Sequence, residues 1–317
     1  MSLRYRGDGE LAGARVEFYA GQAQAANTRR AYASDFRQFQ AWCEAQGFGE
    51  ALPASSGAVS LYLAHLADGD KKVASIERAL VAIRAAHRQA VQLDPTDHEG
   101  VKQILKGIRR QLGSSPKRAA PLLTDRIKTI VSFMNLNQAR DLRDRALLCL
   151  GFAMGSRRSE LVALDVEDLT FSEQGLTVCL RRSKTDQEGT GRNLVVFRGA
   201  NGTCPVQALK AWLERAAIWS GAVFVRVDRW GHPRPGQRLT DQVVRLVVKD
   251  RARRAGLDAQ NLSGHSLRAG LATQAALNGA HARDIAKQTG HRSEKILNGY
   301  IREADLWKNN VTAGLGL

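Results

Sequence analysis

The spacing of apolar residues in the first third of the chain predicts α-helices. Asn27 is a candidate N-cap, and the apolar residues after it recur at intervals of three and four, as on one face of a helix: Tyr32, Phe36, Phe39 and Cys43. Similar patterns predict helices around residues 59–66, 73–90 and 99–112. We therefore expect a small bundle of four or five helices.

The pattern becomes mixed after residue 120. Thr124 and Thr240 are candidate caps of two helices, and residues 146–154 are apolar enough for a buried helix. Residues 176–180 and 193–197 alternate apolar and polar positions, which predicts a β-hairpin with a long polar loop. The chain is again helical in pattern after residue 264. The expected fold class is mainly α, with a small β-sheet or hairpin in the second domain.

A break in the pattern predicts the domain boundary. Gly, Ser and Pro at residues 113–116 interrupt both helix and strand. We expect an N-terminal extension over residues 1–26, a helical domain over 27–113, a basic linker over 114–120 and a mixed α+β domain over 121–317.

The charge of the chain favours a polyanionic partner. The 317 residues include 47 Lys plus Arg against 31 Asp plus Glu, a formal net charge of +16. Residues 1–115 hold a net +3 and the remaining residues +13. Because aromatic residues make up only 6%, single-strand stacking platforms would be sparse, and duplex DNA is the better candidate.

The remaining composition predicts a soluble protein of a reducing compartment. No apolar run is long enough for a membrane span, and the start of the chain lacks a signal-peptide core. The four cysteines stand far apart without a CxxC pair, so we expect buried thiols rather than a zinc site or disulfides. The expected location is the cytoplasm of a prokaryotic-type cell, with the protein associated with the nucleoid.

Two candidate chemical groups lie between residues 155 and 190. Arg157 and Glu160 stand three residues apart and could share a helical face, as a surface ion pair also would. Lys184 stands at the tip of the predicted hairpin, where a solvated loop lysine is the simpler interpretation.

Two further candidate groups lie near the end of the chain. His265 and Arg268 are one turn apart near a helix N-terminus, which favours an anion, although a capping His and a surface Arg would give the same pattern. His291 precedes Tyr300 by nine residues, and a lone tyrosine in such a place is commonly a packing residue.

Taken together and in order, these residues resemble the motif of the tyrosine recombinase (phage integrase) family. The shared pattern is Arg, Lys, His-x-x-Arg, then His and Tyr nine residues apart. The resemblance extends over nearly the whole chain, with a helical core-binding domain followed by a catalytic domain, and is closest to Cre-like members. Ser156 and the pair Ala269-Gly270 depart from the family pattern without touching a catalytic role.

The resemblance implies that Tyr300 attacks a DNA phosphodiester and forms a 3′-phosphotyrosyl bond. A phenol with a pKa near 10 needs neighbouring positive charge and a proton acceptor to react at neutral pH. Arg157 and Arg268 match the two family arginines, and paired guanidinium hydrogen bonds suit a phosphoryl group on which charge accumulates.

The same resemblance implies roles for four more residues. Lys184 would protonate the departing 5′-oxygen, and His265 would take or relay the tyrosine proton. His291 would hydrogen-bond the scissile phosphate, and Glu160 would orient the site without reacting. Neither a metal nor another cofactor is expected, because the cationic side chains supply the charge that Mg²⁺ provides elsewhere.

The implied partner is duplex DNA with specific inverted-repeat sites, enclosed by the two domains as by a clamp. A homotetramer on synapsed DNA is expected, with the apolar tail after Tyr300 packed on a neighbouring protomer or on its own domain, and accessory proteins could set direction. The candidate DNA-contact residues are basic residues of the linker and of helices in both domains: Lys71, Arg78, Arg84, Arg88, Lys117, Arg118, Arg245, Arg251 and Arg253.

Two other functions fit the same sequence. A type IB topoisomerase-like enzyme would nick and rejoin DNA without two paired sites, and a non-catalytic DNA-binding regulator could use the same scaffold. The sequence leaves open the target site, the spacer length and the outcome among integration, excision, inversion and resolution.

Overall fold

The computed structural model describes Tyr19 and residues 25–113, 119–181, 191–291 and 297–300. The chain divides into two compact units, Met1–Lys117 and Arg118–Leu317. Each unit is described by itself. The expected fold class, mainly α with a small β component in the second half, is confirmed.

The first unit is built from helices around one apolar core. Its elements are α1 (Ala26–Ala45), α2 (Ser56–Asp68), α3 (Val73–Gln89), a 3-10 turn (Pro95–Asp97) and α4 (Glu99–Leu112). Phe39 from α1, Leu63 from α2 and Ile83 from α3 are fully buried in this core. The N-cap of α1 is Ala25 rather than Asn27, which lies in the first turn and accepts a hydrogen bond from Arg30.

The second unit mixes helices and short strands. Its elements in chain order are α5 (Thr124–Ser132), α6 (Ala139–Met154), α7 (Arg158–Ala163), β1 (Leu169–Phe171), β2 (Gly175–Leu180), β3 (Arg192–Phe197), α8 (Pro205–Ala216), β4 (Val225–Val227), β5 (Pro233–Arg238), α9 (Asp241–Arg254), α10 (His265–Leu277) and α11 (Ala282–Thr289). The central helix α6 packs against α8 and α10. Residues 297–300 are also helical.

The strands form two antiparallel sheets. β2 pairs with β3 as the predicted hairpin, with Leu180 opposite Arg192, and β1 adds a third strand on the other side of β2. The two-stranded sheet of β4 and β5 did not follow from the sequence pattern, because Pro233, Pro235 and Gly236 are residues that strands avoid.

Helix α10 lies unusually close to the segment that precedes α5. Leu122 N–H donates to Ser266 O at 3.0 Å, and a Cβ added to Gly270 would lie 2.1 Å from the Leu122 carbonyl oxygen. The departure from the family pattern at Gly270 therefore has a structural reason, since a larger residue would collide with backbone.

Two sequence expectations are corrected here. The N-cap of α5 is Leu123, and Thr124 is the first helical residue. Cys43, Cys149 and Cys204 are buried as expected, but Cys179 is exposed because it lies on the outward face of β2. No helix in the described part of the chain is long and apolar enough to cross a membrane.

Candidate active site

Residues from three places in the second unit meet around one side chain, Tyr300. Arg157 is the N-cap residue of α7, and His265 and Arg268 lie in the first turn of α10. His291 follows the end of α11. The structure therefore brings together five of the residues that the sequence analysis singled out in the second half of the chain.

The Tyr300 hydroxyl is paired with His265. Tyr300 is 5% exposed, and its hydroxyl oxygen lies 3.0 Å from His265 Nε2. The ring of His291 is tilted against the Tyr300 ring, with centroids 5.9 Å apart. A base within hydrogen-bond distance of a phenol is the arrangement that activation of a tyrosine nucleophile requires.

Arg268 is a buried cation that is anchored by main-chain carbonyls. It is 1% exposed, and its Nη1 donates to Gly155 O at 2.9 Å and to Thr289 O. Burial, and next the charge of Arg157, lower the pKa of Arg268 to about 10, although Glu160 acts in the opposite direction. The guanidinium is still charged at neutral pH, and it is held in one orientation.

His291 is held as a neutral imidazole of defined tautomer. Its Nε2 lies 3.3 Å from Arg268 Nε, which can only donate, so Nε2 is the acceptor. The proton is then on Nδ1, which donates to Thr289 Oγ1 at 2.7 Å, and that hydroxyl donates in turn to Ile285 O at 2.6 Å. Burial, followed by the charges of Arg268 and Arg157, lowers the pKa of His291 to about 4.

Arg157 and Glu160 form a buried ion pair rather than a surface one. Glu160 Oε1 accepts from Arg157 Nη1 at 2.5 Å, and Glu160 Oε2 accepts from the Arg157 backbone N–H at 2.9 Å. The Glu160 side chain is 2% exposed and the Arg157 side chain 18%. The carboxylate thus caps α7 and fixes the direction of the guanidinium in one contact.

Arg192 is a site residue that the sequence analysis missed. It begins β3, and its guanidinium donates to the last carbonyls of α11, close to His291. Its position after the hairpin loop was the only available signal, because no sequence pattern shows that a side chain binds main-chain carbonyls of a segment almost 100 residues away.

Three expected residues lie outside the described residues: Lys184, Lys117 and Arg118. In the part of the chain that is described, no group of three or more His, Cys, Asp or Glu could hold a metal ion. The expectation of a reaction without metal or cofactor remains a prediction.

The candidate DNA-contact residues fall into two groups. Lys71, Arg245 and Arg253 are exposed. Arg78, Arg84 and Arg88 on α3 are also at least partly exposed, but each is paired with an acid, Arg78 with Asp35 and the other two with Asp94.

The prediction that Arg251 contacts DNA is wrong. It is 4% exposed and contacts Asp141 at 2.6 Å and Asp144 at 2.7 Å, and Asp144 is shared with the buried Arg143. A guanidinium enclosed by two carboxylates in the core is unavailable to DNA. Arg251 instead links α9 to α6.

Comparisons with known proteins show the family of this chain. The phage integrase family model matches residues 121–306, and the model of the phage integrase N-terminal SAM-like domain matches residues 16–92. An integrase/recombinase xerD homolog of Selenomonas ruminantium is 37% identical over 294 residues, covering 92% of this chain and 85% of the relative. Tyrosine recombinase XerD of Mycobacterium tuberculosis is 30% identical over 289 residues and covers 85% of each chain.

Solved structures share the fold. A lambda integrase dimer bound to a COC′ core site aligns with a TM-score of 0.62 at 16% identity, covering 90% of this chain and 74% of that one. XerH recombinase in a post-cleavage complex with its difH substrate aligns with a TM-score of 0.57 at 18% identity, covering 80% and 69%.

The fold and the sequence matches define an enzyme of the tyrosine recombinase class. The chain belongs to the phage integrase family. The likeness to Cre-like members expected from the sequence is a finer distinction, and the relatives reported above carry the name XerD.

Proposed function

We propose that this protein is a site-specific DNA recombinase that cleaves and rejoins duplex DNA through a 3′-phosphotyrosyl bond to Tyr300. One observation carries the proposal: the Tyr300 hydroxyl lies 3.0 Å from His265 Nε2, beside a cluster of guanidinium groups. A pure DNA-binding protein has no need of a buried phenol paired with a base.

The electrostatics of the site favour a bound phosphodiester. Arg157, Arg192 and Arg268 are close enough for Arg157 and Arg192 to lower the pKa of Arg268, and the carboxylate that opposes them among the described residues is Glu160. Like charges that depress one another's pKa are stabilised by an anion between them. A phosphodiester carries one negative charge and offers two oxygens to paired guanidinium donors.

The proposed cleavage step uses these side chains together with Lys184. Tyr300 oxygen attacks phosphorus while its proton passes to His265 Nε2, and the bond from phosphorus to the 5′-oxygen breaks. Lys184 supplies the proton that the departing 5′-oxygen takes up. Arg157 and Arg268 stabilise the charge on the equatorial oxygens, and religation is the same attack in reverse by a 5′-hydroxyl of the other site.

The role of His291 is refined by its tautomer. A hydrogen bond from His291 to the scissile phosphate needs a proton on Nε2, whereas Nε2 accepts from Arg268 in this structure. We propose that His291 holds Arg268 until a phosphate arrives, and that the anion then raises the pKa of the imidazole so that Nε2 can donate.

The remaining parts of the proposal concern partners. The solved neighbours include recombinases bound to DNA sites, which supports duplex DNA with inverted-repeat sites as the substrate here. We further propose a homotetramer on two synapsed sites, linked by the apolar tail after Tyr300, with accessory proteins that can set direction. Deleting the residues after Asp305 should then impair synapsis. The enzyme would act on the DNA of the cytoplasmic nucleoid.

The test is covalent trapping on a nicked duplex. DNA that carries the protein's own site and is nicked just downstream of the cut loses a short fragment bearing the new 5′-hydroxyl. It should accumulate a protein–DNA adduct with the wild type and none with Tyr300→Phe. Tyr32→Phe, a hydroxyl deletion in the first unit, is the matched control and should form the adduct normally. The proposal fails if the wild type gives no adduct, or if Tyr300→Phe gives as much.

A plasmid assay separates the proposal from a topoisomerase-like activity. A recombinase should exchange strands only between two plasmid-borne sites. Relaxation of a supercoiled plasmid that lacks these sites would instead favour the type IB topoisomerase-like function.

A further inference from the structure

Arg192 connects the β2–β3 hairpin to the end of α11. It opens β3 opposite Leu180, and its Nη1 donates to Lys287 O at 2.9 Å and to Gln288 O at 3.2 Å. Its Nη2 donates to Thr289 O at 3.2 Å. One side chain therefore binds three consecutive carbonyls.

These three carbonyls have no hydrogen-bond donor within helix α11 itself. The last four carbonyl groups of an α-helix lack partners within the helix. The planar guanidinium carries five donors in a fixed fork, whereas the lysine ammonium is a compact charge on a flexible stem. The contact thus fixes the end of α11 in position and orientation, which a single hydrogen bond would not do.

The anchored segment leads directly into the candidate active site. Thr289 O accepts from Arg268 as well as from Arg192, and Thr289 Oγ1 accepts from His291 Nδ1. Gly290, between them, has a φ of 69°, and a Cβ added there would lie 2.7 Å from Arg192 Cζ. The guanidinium packs on the glycine, so the backbone from 287 to 290 has no room to move toward β3.

We propose that Arg192 is a positioning residue for DNA cleavage, which holds Thr289 so that His291 and Arg268 keep the geometry described above. This inference rests on the proposed function, because cleavage is the reaction that it serves. The hydrogen bonds of Arg192 given above all end on main-chain carbonyls of residues 287–289.

Arg192→Met tests the inference by removing the fork while keeping the length of the side chain. The rate of adduct formation on the nicked duplex should fall by about 100-fold, the scale of a misplacement of catalytic groups by 1 Å. The Kd for the same DNA at the same salt should rise far less than the rate falls, because Arg192 adds one charge to the site while its donors are occupied by carbonyls. Arg192→Lys should recover part of the rate. Arg198→Met, an exposed arginine beyond the end of the same strand, is the matched control and should cleave as the wild type does.

A second measurement reports the tautomer of His291 in the free protein and needs no cleavage reaction. Side-chain ¹⁵N spectra of the histidines in the free protein should show the Nδ1–H tautomer for His291 in the wild type. In Arg192→Met this signal should change, either by tautomer exchange or by titration closer to the ordinary range. The signal of His232, on a different hairpin, should remain as it is.

The outcomes separate this inference from the proposed function. A wild type without adduct refutes the proposed function, and the ¹⁵N spectra then still decide whether Arg192 positions His291. A wild type that cleaves, with Arg192→Met cleaving equally fast or keeping the His291 signal, overturns the inference alone. If Arg192→Met does not fold, Arg192→Lys takes its place. A wild-type cleavage rate together with a wild-type His291 signal in Arg192→Lys would then overturn the inference.

Discussion

Acid should destabilise the second unit through His291, because the folded state keeps this imidazole neutral. The pKa of His291 is about 4 in the folded protein, lowered from 6.5 by burial and by Arg268 and Arg157. In the unfolded chain, the group binds its proton at a higher pH than in the folded chain. The contribution of His291 to stability is therefore complete above pH 6.5 and is lost as the pH falls toward 4.

The size of the effect follows from the two pKa values. Their difference corresponds to about 3 kcal/mol in total, since one pKa unit is worth about 1.4 kcal/mol. About 2 kcal/mol of this should already be lost at about pH 5, where the unfolded imidazole is protonated and the folded one is mostly neutral.

The assay compares urea unfolding of the wild type and His291→Gln at pH 7.5 and at pH 5. The variant lacks the titrating group, so its loss of unfolding free energy between the two pH values should be smaller by about 2 kcal/mol. His232→Gln serves as control, because the His232 side chain is 72% exposed. Equal losses for wild type and His291→Gln would refute the reasoning, as would an NMR titration of His291 with an ordinary pKa.

Three substitutions test other contacts of the same unit. Glu160→Gln removes the charge that faces Arg157. It should lower the unfolding free energy in urea by about 2 kcal/mol and slow adduct formation, whereas an unchanged urea curve would show that the buried pair contributes nothing. Gly270→Ala places a methyl group against the Leu122 carbonyl and should cost roughly 1–3 kcal/mol in the same assay, unless α10 can shift freely. Ser156→Ala removes a buried hydroxyl that has no hydrogen-bond partner among the described residues. The unfolding free energy should rise by about 1 kcal/mol and the cleavage rate should stay the same, whereas a loss of stability would show that the hydroxyl has a partner.

The sequence predicted the helices of the first unit and the β2–β3 hairpin well, because both depend on periodic patterns that local spacing records. For example, residues 99–112 were predicted as a helix and α4 has these bounds. The family motif also named the residues that meet around Tyr300, because it records their order and spacing along the chain.

Contacts between distant segments could not be predicted in this way. Arg251 was interpreted as a surface residue at the basic end of a helix, but its acidic partners, Asp141 and Asp144, lie about 110 residues earlier on α6. Arg192 binds carbonyl groups, which every residue carries and which no sequence pattern distinguishes. Such pairings depend on the tertiary arrangement, and a local pattern contains no record of them.

The use of main-chain carbonyls as acceptors determines which substitutions the site tolerates. Arg192 and Arg268 are anchored by the main chain of Gly155, Lys287, Gln288 and Thr289. A carbonyl survives any substitution that preserves the helix, so these contacts place no demand on the side chain of Lys287. Gln288 is constrained separately, because its side-chain amide donates to Ala153 O at 3.0 Å. The two arginine donors have no such freedom, because replacing either side chain removes the donors from every carbonyl that it binds.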